Sequence, residues 1–210
     1  MELINGLEWR YATKKFDPTK TIKESDIELV KDAVQLSASS YGLQLYKVLF
    51  ITNSEIREKL KAAAYGQPQL TDASHVVVFC HYTNLTDKHV DEYLDNISVV
   101  RGVDVAHLQD FGNMMKGSIK GLSVDAQHGW AAKQTYLALG TLLAATSELK
   151  IDSCPMEGFD AAAFNRILKL DEQNLNAAVI ATIGYRSDDD EFQHLKKVRR
   201  PKNQLFEDIL

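Results

Sequence analysis

Trp130–Leu149, WAAKQTYLALGTLLAATSEL, carries no charge from Gln134 to Ser147 and places apolar side chains on every side of a helical wheel. A helix that is apolar all round has to be buried. It falls short of the roughly 20 consecutive apolar residues of a bilayer span, and it contains Gln134, Thr135, Thr141 and Ser147. We read it as a central core helix that begins near Ser123 to Asp125. From its far end the chain enters a loop, Cys154-Pro155-Met156-Glu157-Gly158-Phe159. A loop delivered by a rigid buried rod is a place where a precise site can be hung.

Outward from that helix, Tyr46 to Thr52 (YKVLFIT), His75 to His81 (HVVVFCH) and Ala177 to Tyr185 (AAVIATIGY) are β-branched or apolar runs and predict strands, the second buried on both faces. Asn53-Ser54 caps a helix through Ile56, Leu60 and Ala64, and Asp160 caps one with Phe164, Ile167 and Leu168 on its apolar face. Ser25-Asp26-Ile27-Glu28 reads as a capping box, and Ile27, Val30 and Val34 carry that helix to about Ser37. Residues 2 to 9 make a short helix, Tyr65 to Gln69 a turn, and Gln204-Leu205-Phe206 a short strand. Pro18 pushes Asp17 out of the helical region, so Thr13 to Pro18 is extended. Between 87 and 121 lie two amphipathic helices, one through Val90, Leu94 and Ile97, the other through Leu108, Phe111 and Met115. This glycine-dotted excursion is either a mobile lid or a solvent-facing helical pair. Strands separated by long helical stretches define an α+β or α/β layer with a central sheet, and 210 residues without a repeat fit a single domain.

Composition narrows the function classes. The amino terminus MELINGLEWRYATKK has no apolar signal core and no segment reaches membrane length, so a soluble, cytoplasmic protein is expected. Cys80 and Cys154 form neither a disulfide framework nor a metal spacing and read as reduced thiols. The six histidines are scattered and no H-E-x-x-H occurs, so no metal is expected. Residue counts leave a Ser–His–Asp triad open, but there is no G-x-S-x-G elbow, no G-x-G-x-x-G and no Walker A, so a bound cofactor is expected to carry the chemistry if the protein is an enzyme. A net charge of −5 argues against nucleic acid, and Asp188 to Glu191 read as a solvated loop. The cations are uneven: Arg10, Lys14, Lys15 and Lys20 crowd one end, Lys196, Lys197, Arg199, Arg200 and Lys202 the other. They are either solvated surface or two halves of one site for a compact anion such as phosphate. Ala38-Ser39-Ser40-Tyr41-Gly42-Leu43-Gln44 is small and polar; it either admits a close-approaching group or caps a turn.

Taken in order, the segments resemble the nitroreductase family. Arg10-Tyr-Ala-Thr-Lys14-Lys-Phe16-Asp17 is similar to its N-terminal flavin-phosphate segment, Ala38-Ser39-Ser40 with Gln44 to its serine loop, and Asp72 to Cys80 to its second strand. Lys133-Gln134-Thr-Tyr-Leu resembles its core helix, Pro155 to Asp160 its flavin-ring loop, and Lys197-Val198-Arg199-Arg200-Pro201 its closing basic motif. The ordered set covers nearly the whole chain and looks most like the oxygen-insensitive NAD(P)H nitroreductases.

The resemblance implies a three-layer α+β fold, a mostly antiparallel central sheet flanked by helices, and an intertwined homodimer with FMN at the subunit interface. It implies two-electron ping-pong transfer from NADH or NADPH to a nitroaromatic or quinone. Family members acting on enones, flavin or halogenated aromatics, and a non-catalytic flavin-binding dimer, are the alternatives. Arg10, Lys197 and Arg199 would hold the phosphate, with Tyr11 and the Ala12 backbone beside them. Lys14 would stand at the pyrimidine edge as an electrostatic stabiliser, and no residue serves as acid or base. Gln67 and Gln69 would line that edge and the ribityl chain. Pro155, Met156, Glu157 and Gly158 would face the ring, and Ala38, Ser39 and Ser40 would come from the partner subunit. Ala12 replaces a serine of close relatives, and Gly42, Leu43, Leu45 and Tyr46 replace the usual pattern around Gln44.

Overall fold

The computed structural model describes residues 1–209. Its helices and strands, in chain order, are α1 (Glu2–Trp9), α2 (Glu24–Gln35), β1 (Tyr46–Ile51), α3 (Ser54–Ala63), α4 (Gln69–Asp72), β2 (His75–Tyr82), α5 (Asp87–Arg101), α6 (Gln109–Lys120), α7 (Val124–Glu148), β3 (Asp152–Met156), α8 (Ala161–Leu168), β4 (Leu175–Gly184) and α9 (Lys202–Leu205). The four strands form one antiparallel sheet in the order β1-β2-β4-β3. Side chains alternate across a strand, and β2 uses both sides. Val76, Val78 and Cys80 enter a core with Leu60, Leu70 and Phe164 from α3, α4 and α8. Val77 and Phe79 enter the opposite core with Ile27 and Val30 of α2 and Leu139 and Leu142 of α7. Two helical layers sandwiching a sheet make an α+β fold. The 87–121 excursion has its own small core, Val90, Leu94, Ile97, Met115 and Ile119 against Leu43, Leu45 and Ala131. Among the described residues no helix is long and apolar enough to cross a membrane.

Capping follows side-chain chemistry where the sequence placed it: Asn53 accepts from Ile56 N–H and Asp160 from Ala163 N–H. The Ser25 capping box is not formed. α2 starts earlier, with Lys23 at its N-cap, so Ser25 lies inside the first turn and donates to Asp26 instead. The Tyr65–Gln69 turn, with φ of 56° at Tyr65 and 73° at Gly66, is shorter than expected because Gln69 already opens α4. The loop expected from Cys154 is in its first half a strand. Cys154, Pro155 and Met156 pair with Thr182, Ala181 and Ile180, and Pro155 is tolerated because β3 is an edge, where its missing N–H is not needed. Gln204-Leu205-Phe206 is not a strand; Lys202–Leu205 is a helical turn after Pro201, and the described strands pair elsewhere. The core helix α7 is not buried all round, since Tyr136 and Leu137 are 44% and 51% exposed.

Both thiols are shut in. Burial pushes Cys80 up to about 12 and raises Cys154 as well. We expect a thiol reagent at mildly alkaline pH to leave the folded protein unlabelled and to titrate both cysteines on denaturation; rapid labelling of the native chain would contradict this core assignment.

Candidate functional site

The two basic ends of the chain meet. Arg10 is the C-cap of α1, and Lys197 Nζ donates to the carbonyl oxygens of Leu7 (2.5 Å) and Arg10. An ammonium on the last carbonyls of a helix satisfies orphan acceptors and opposes the negative end of its dipole. Arg199 lies on the same cavity, of about 480 Å³, together with Tyr11, Ala12 and Lys14. None of Arg10, Lys14, Lys197 and Arg199 joins an ion pair among the described residues. Arg10 Nε is buried without a hydrogen-bond partner. Burial, then repulsion from Arg199, lowers the Arg10 pKa; burial, then repulsion from Arg10 and Arg199, lowers that of Lys197. Cations that depress one another and have no counter-ion among the described residues have the donor chemistry to hold a compact, multiply charged oxyanion.

The N-terminal half of this site is sewn to the sheet. Ala12 bridges Ser153 of β3, Phe16 is 3% exposed and bridges Arg186, and Ser187 N–H donates to Lys15 O at 2.9 Å. Arg186 pairs with the Asp152 carboxylate at 2.6 Å and stacks over the rings of Trp9 and Tyr11 at 4.4 and 4.7 Å. Asp190 corrects the solvated-loop reading of 188–191. It is 1% exposed and accepts from Tyr11 Oη, Lys14 N, Lys15 N and Phe192 N. Its burial would raise its pKa, but these donors outweigh that and hold it below the usual carboxylate range.

Pro155 belongs to the cation cavity and also to a neighbouring one of about 340 Å³, which Met156, Glu157, Tyr136, Leu139 and Val179 complete. Pro155 thus stands between the cation cavity and the cavity that reaches Glu157. Tyr136 Oη donates to Glu157 Oε1 at 2.6 Å, and Gln67 Nε2 donates to Gly158 O at 2.8 Å and Ala64 O at 3.0 Å. A Cβ at Gly158 would meet only Gln67, at 3.6 Å, so nothing in its own chain demands glycine there.

Of the residues singled out from the sequence, Arg10, Tyr11, Ala12, Lys14, Pro155, Lys197 and Arg199 share the first cavity, and Pro155, Met156 and Glu157 the second. Gln67 is spent on the loop. Gln69 sits in α4, 7% exposed, with its Oε1 unpartnered. Ala38, Ser39 and Ser40 line neither cavity. Ser40 N–H donates to Gln134 Oε1 at 2.7 Å, and its hydroxyl accepts from Trp130 and Gln134. The sequence reading missed Asp190, Tyr136 and the Asp152–Arg186 pair; Tyr136 is one of several hydroxyl-bearing residues in its helix, and nothing local singled it out.

A three-layer α+β chain with a cation-lined cavity beside the loop that follows its edge strand β3 defines the class. The chain belongs to the nitroreductase family, whose model it matches over residues 7–185. It is 34% identical over 213 residues to a candidate NAD(P)H nitroreductase of Staphylococcus saprophyticus, covering 98% of this chain and 95% of the relative. Among solved structures it is similar to a candidate nitroreductase of Bacillus subtilis, with a TM-score of 0.89 and 22% identity over 99% of both chains. It is also similar to a candidate nitroreductase of Exiguobacterium sibiricum in complex with FMN, with a TM-score of 0.82 and 18% identity over 99% of this chain and 95% of that one. At these identities the solved structures establish the fold.

Burial, and then the Glu157 hydrogen bond, push Tyr136 up to about 12. Neutral Tyr136 therefore contributes stability that is complete below the ordinary tyrosine value of about 10 and is lost as pH rises through the folded one. In ultraviolet difference titrations of wild type against Tyr136→Phe, the missing phenol should titrate near 12, and Glu157→Ala should bring it part of the way down. A Tyr136 that titrates with the exposed tyrosines would contradict the pairing.

Proposed function

We propose that the protein is an FMN-dependent NAD(P)H oxidoreductase that reduces nitroaromatics or quinones two electrons at a time, in ping-pong fashion, as a homodimer. One observation carries the reading: Arg10, Lys197 and Arg199, from opposite ends of the chain, line one cavity with no carboxylate paired to them and with Arg10 Nε left unbonded among the described residues. That donor set fits a phosphate monoester, since guanidinium N–H groups aim at two oxygens at once and lysine adds a point charge. The name of the staphylococcal relative and the FMN in the Exiguobacterium complex support the same assignment.

In this reading Arg10, Lys197 and Arg199 hold the phosphate, with Tyr11 and Ala12 offering backbone beside it. Pro155, Met156, Glu157 and Gly158 hold the ring end, and Gln67 steadies Gly158 through its carbonyl. Lys14 places a positive charge where negative charge collects at the pyrimidine edge, and Gln69 stands behind. Bound FMN supplies hydride acceptance from the nicotinamide and hydride donation to the oxidant. The chain contributes orientation, and both substrates use one face in turn. Ala38, Ser39 and Ser40 complete the partner's site. Apolar surface left open on α1 (Leu3, Leu7), α7 (Tyr136, Leu137) and the tail (Leu205, Phe206) supports the dimer.

Purified protein mixed with FMN should turn yellow, bleach with NADH or NADPH without oxygen, and recolour when a nitroaromatic is added. Colour that resists both nucleotides would leave a flavin-binding dimer without this activity. Arg199→Ala should weaken FMN binding by about 1.5–3 kcal/mol, the range for hydrogen bonds to charged groups; unchanged occupancy at limiting FMN would sink the phosphate assignment.

A further inference from the structure

We propose that Asp190 is the positioning residue of the phosphate end of this site, the buried carboxylate that holds the N-terminal cations in register with the C-terminal ones. The inference rests on the function proposed above. Oδ2 accepts from Tyr11 Oη at 2.9 Å, Lys14 N at 2.7 Å and Lys15 N at 3.1 Å, and Oδ1 accepts from Phe192 N at 3.1 Å. Three donors lie on the segment that carries Arg10 and Lys14, and the fourth opens the 3₁₀ turn Glu191–His194 that leads to Lys197 and Arg199. Its charge is buried without an ion-pair partner among the described residues. It is therefore stabilised by these N–H and O–H dipoles, and they in turn are fixed by it.

Four donors converging on one group make the site intolerant of the isosteric amide. Asparagine offers one acceptor oxygen and one NH₂. Whichever way it is turned, either the Tyr11-Lys14-Lys15 side or the Phe192 side faces a donor. Asp190→Asn thus takes the charge out of every bond to Tyr11, Lys14 and Lys15 and sets an NH₂ against one donor group, loosening the join between the two segments while keeping side-chain size. Affinity supplied by the phosphate falls, whereas affinity supplied by the ring, held by Pro155 to Gly158, stays. A carboxylate that served general folding alone would lower both together.

The test is a pair of fluorescence titrations of apoprotein, with FMN and with riboflavin, alongside hydrogen exchange of the 11–16 amides. For Asp190→Asn, FMN should bind about tenfold or more weakly, as expected for loss of hydrogen bonds to a charged group, and riboflavin should change by less than about threefold. Exchange at 11–16 should quicken while β2 and β4 stay protected. Tyr11→Phe removes one donor and leaves the carboxylate; it should lower the preference for FMN over riboflavin in the same direction, and it carries the test alone should Asp190→Asn not fold. Equal losses of FMN and riboflavin, or an unchanged preference in a folded variant, would overturn the proposal while leaving the functional reading intact. Wild-type protein that binds no FMN would overturn both.

Discussion

The constraint on which the rest of the structure depends is electrostatic: cations from the two ends of the chain share one cavity, and no ion pair among the described residues relieves them. Left alone, such an arrangement would push the termini apart, since like charges at close range repel most where water is partly excluded. The fold answers with neutral and dipolar groups in place of carboxylates at the cations themselves. Carbonyls at the end of α1 take up Lys197. Arg186, held by Asp152, clamps Trp9 and Tyr11 from behind. Asp190 fixes the backbone on both sides. The positive charge is left facing the cavity, where in the proposed function the flavin phosphate is its partner.

The sheet is the platform for this closure. β2 and β4 are its buried interior, filled on both faces, while β3, on the edge, is free to accept Ala12 as an extra bridge and to turn out at Met156 into the Glu157-Gly158 loop. The long helix α7 contributes at two points along one rod: Gln134 and Trp130 organise the Ser40 turn, and Tyr136 holds Glu157. The cation cavity and the cavity beside Glu157 are thereby fixed by different parts of one scaffold.

Much of this was legible in the sequence, for identifiable reasons. HVVVFCH could only be a buried strand, and Asn53 and Asp160 cap helices because a short acceptor before an apolar run has one good use there. The convergence of the basic ends followed from the family resemblance, which chose between readings that charge alone left open. What failed were inferences needing tertiary knowledge. Asp190 sits among four successive acidic residues and nothing local distinguishes the buried one. The box at Ser25 had the right letters two residues too late. Leu205-Phe206 has strand-like residues, but a strand exists only where a neighbour completes its ladder. Apolar side chains all round α7 argued for full burial, yet Tyr136 and Leu137 face outward on the single chain.

The most direct measurement is a crystal structure of the protein grown with FMN. The account predicts the phosphate within hydrogen-bond distance, about 3 Å, of Arg10 and of Arg199 from the same chain, with Asp190 still bonded to the Lys14 and Lys15 amides. A phosphate seated elsewhere, or held by cations from one end of the chain alone, would contradict it.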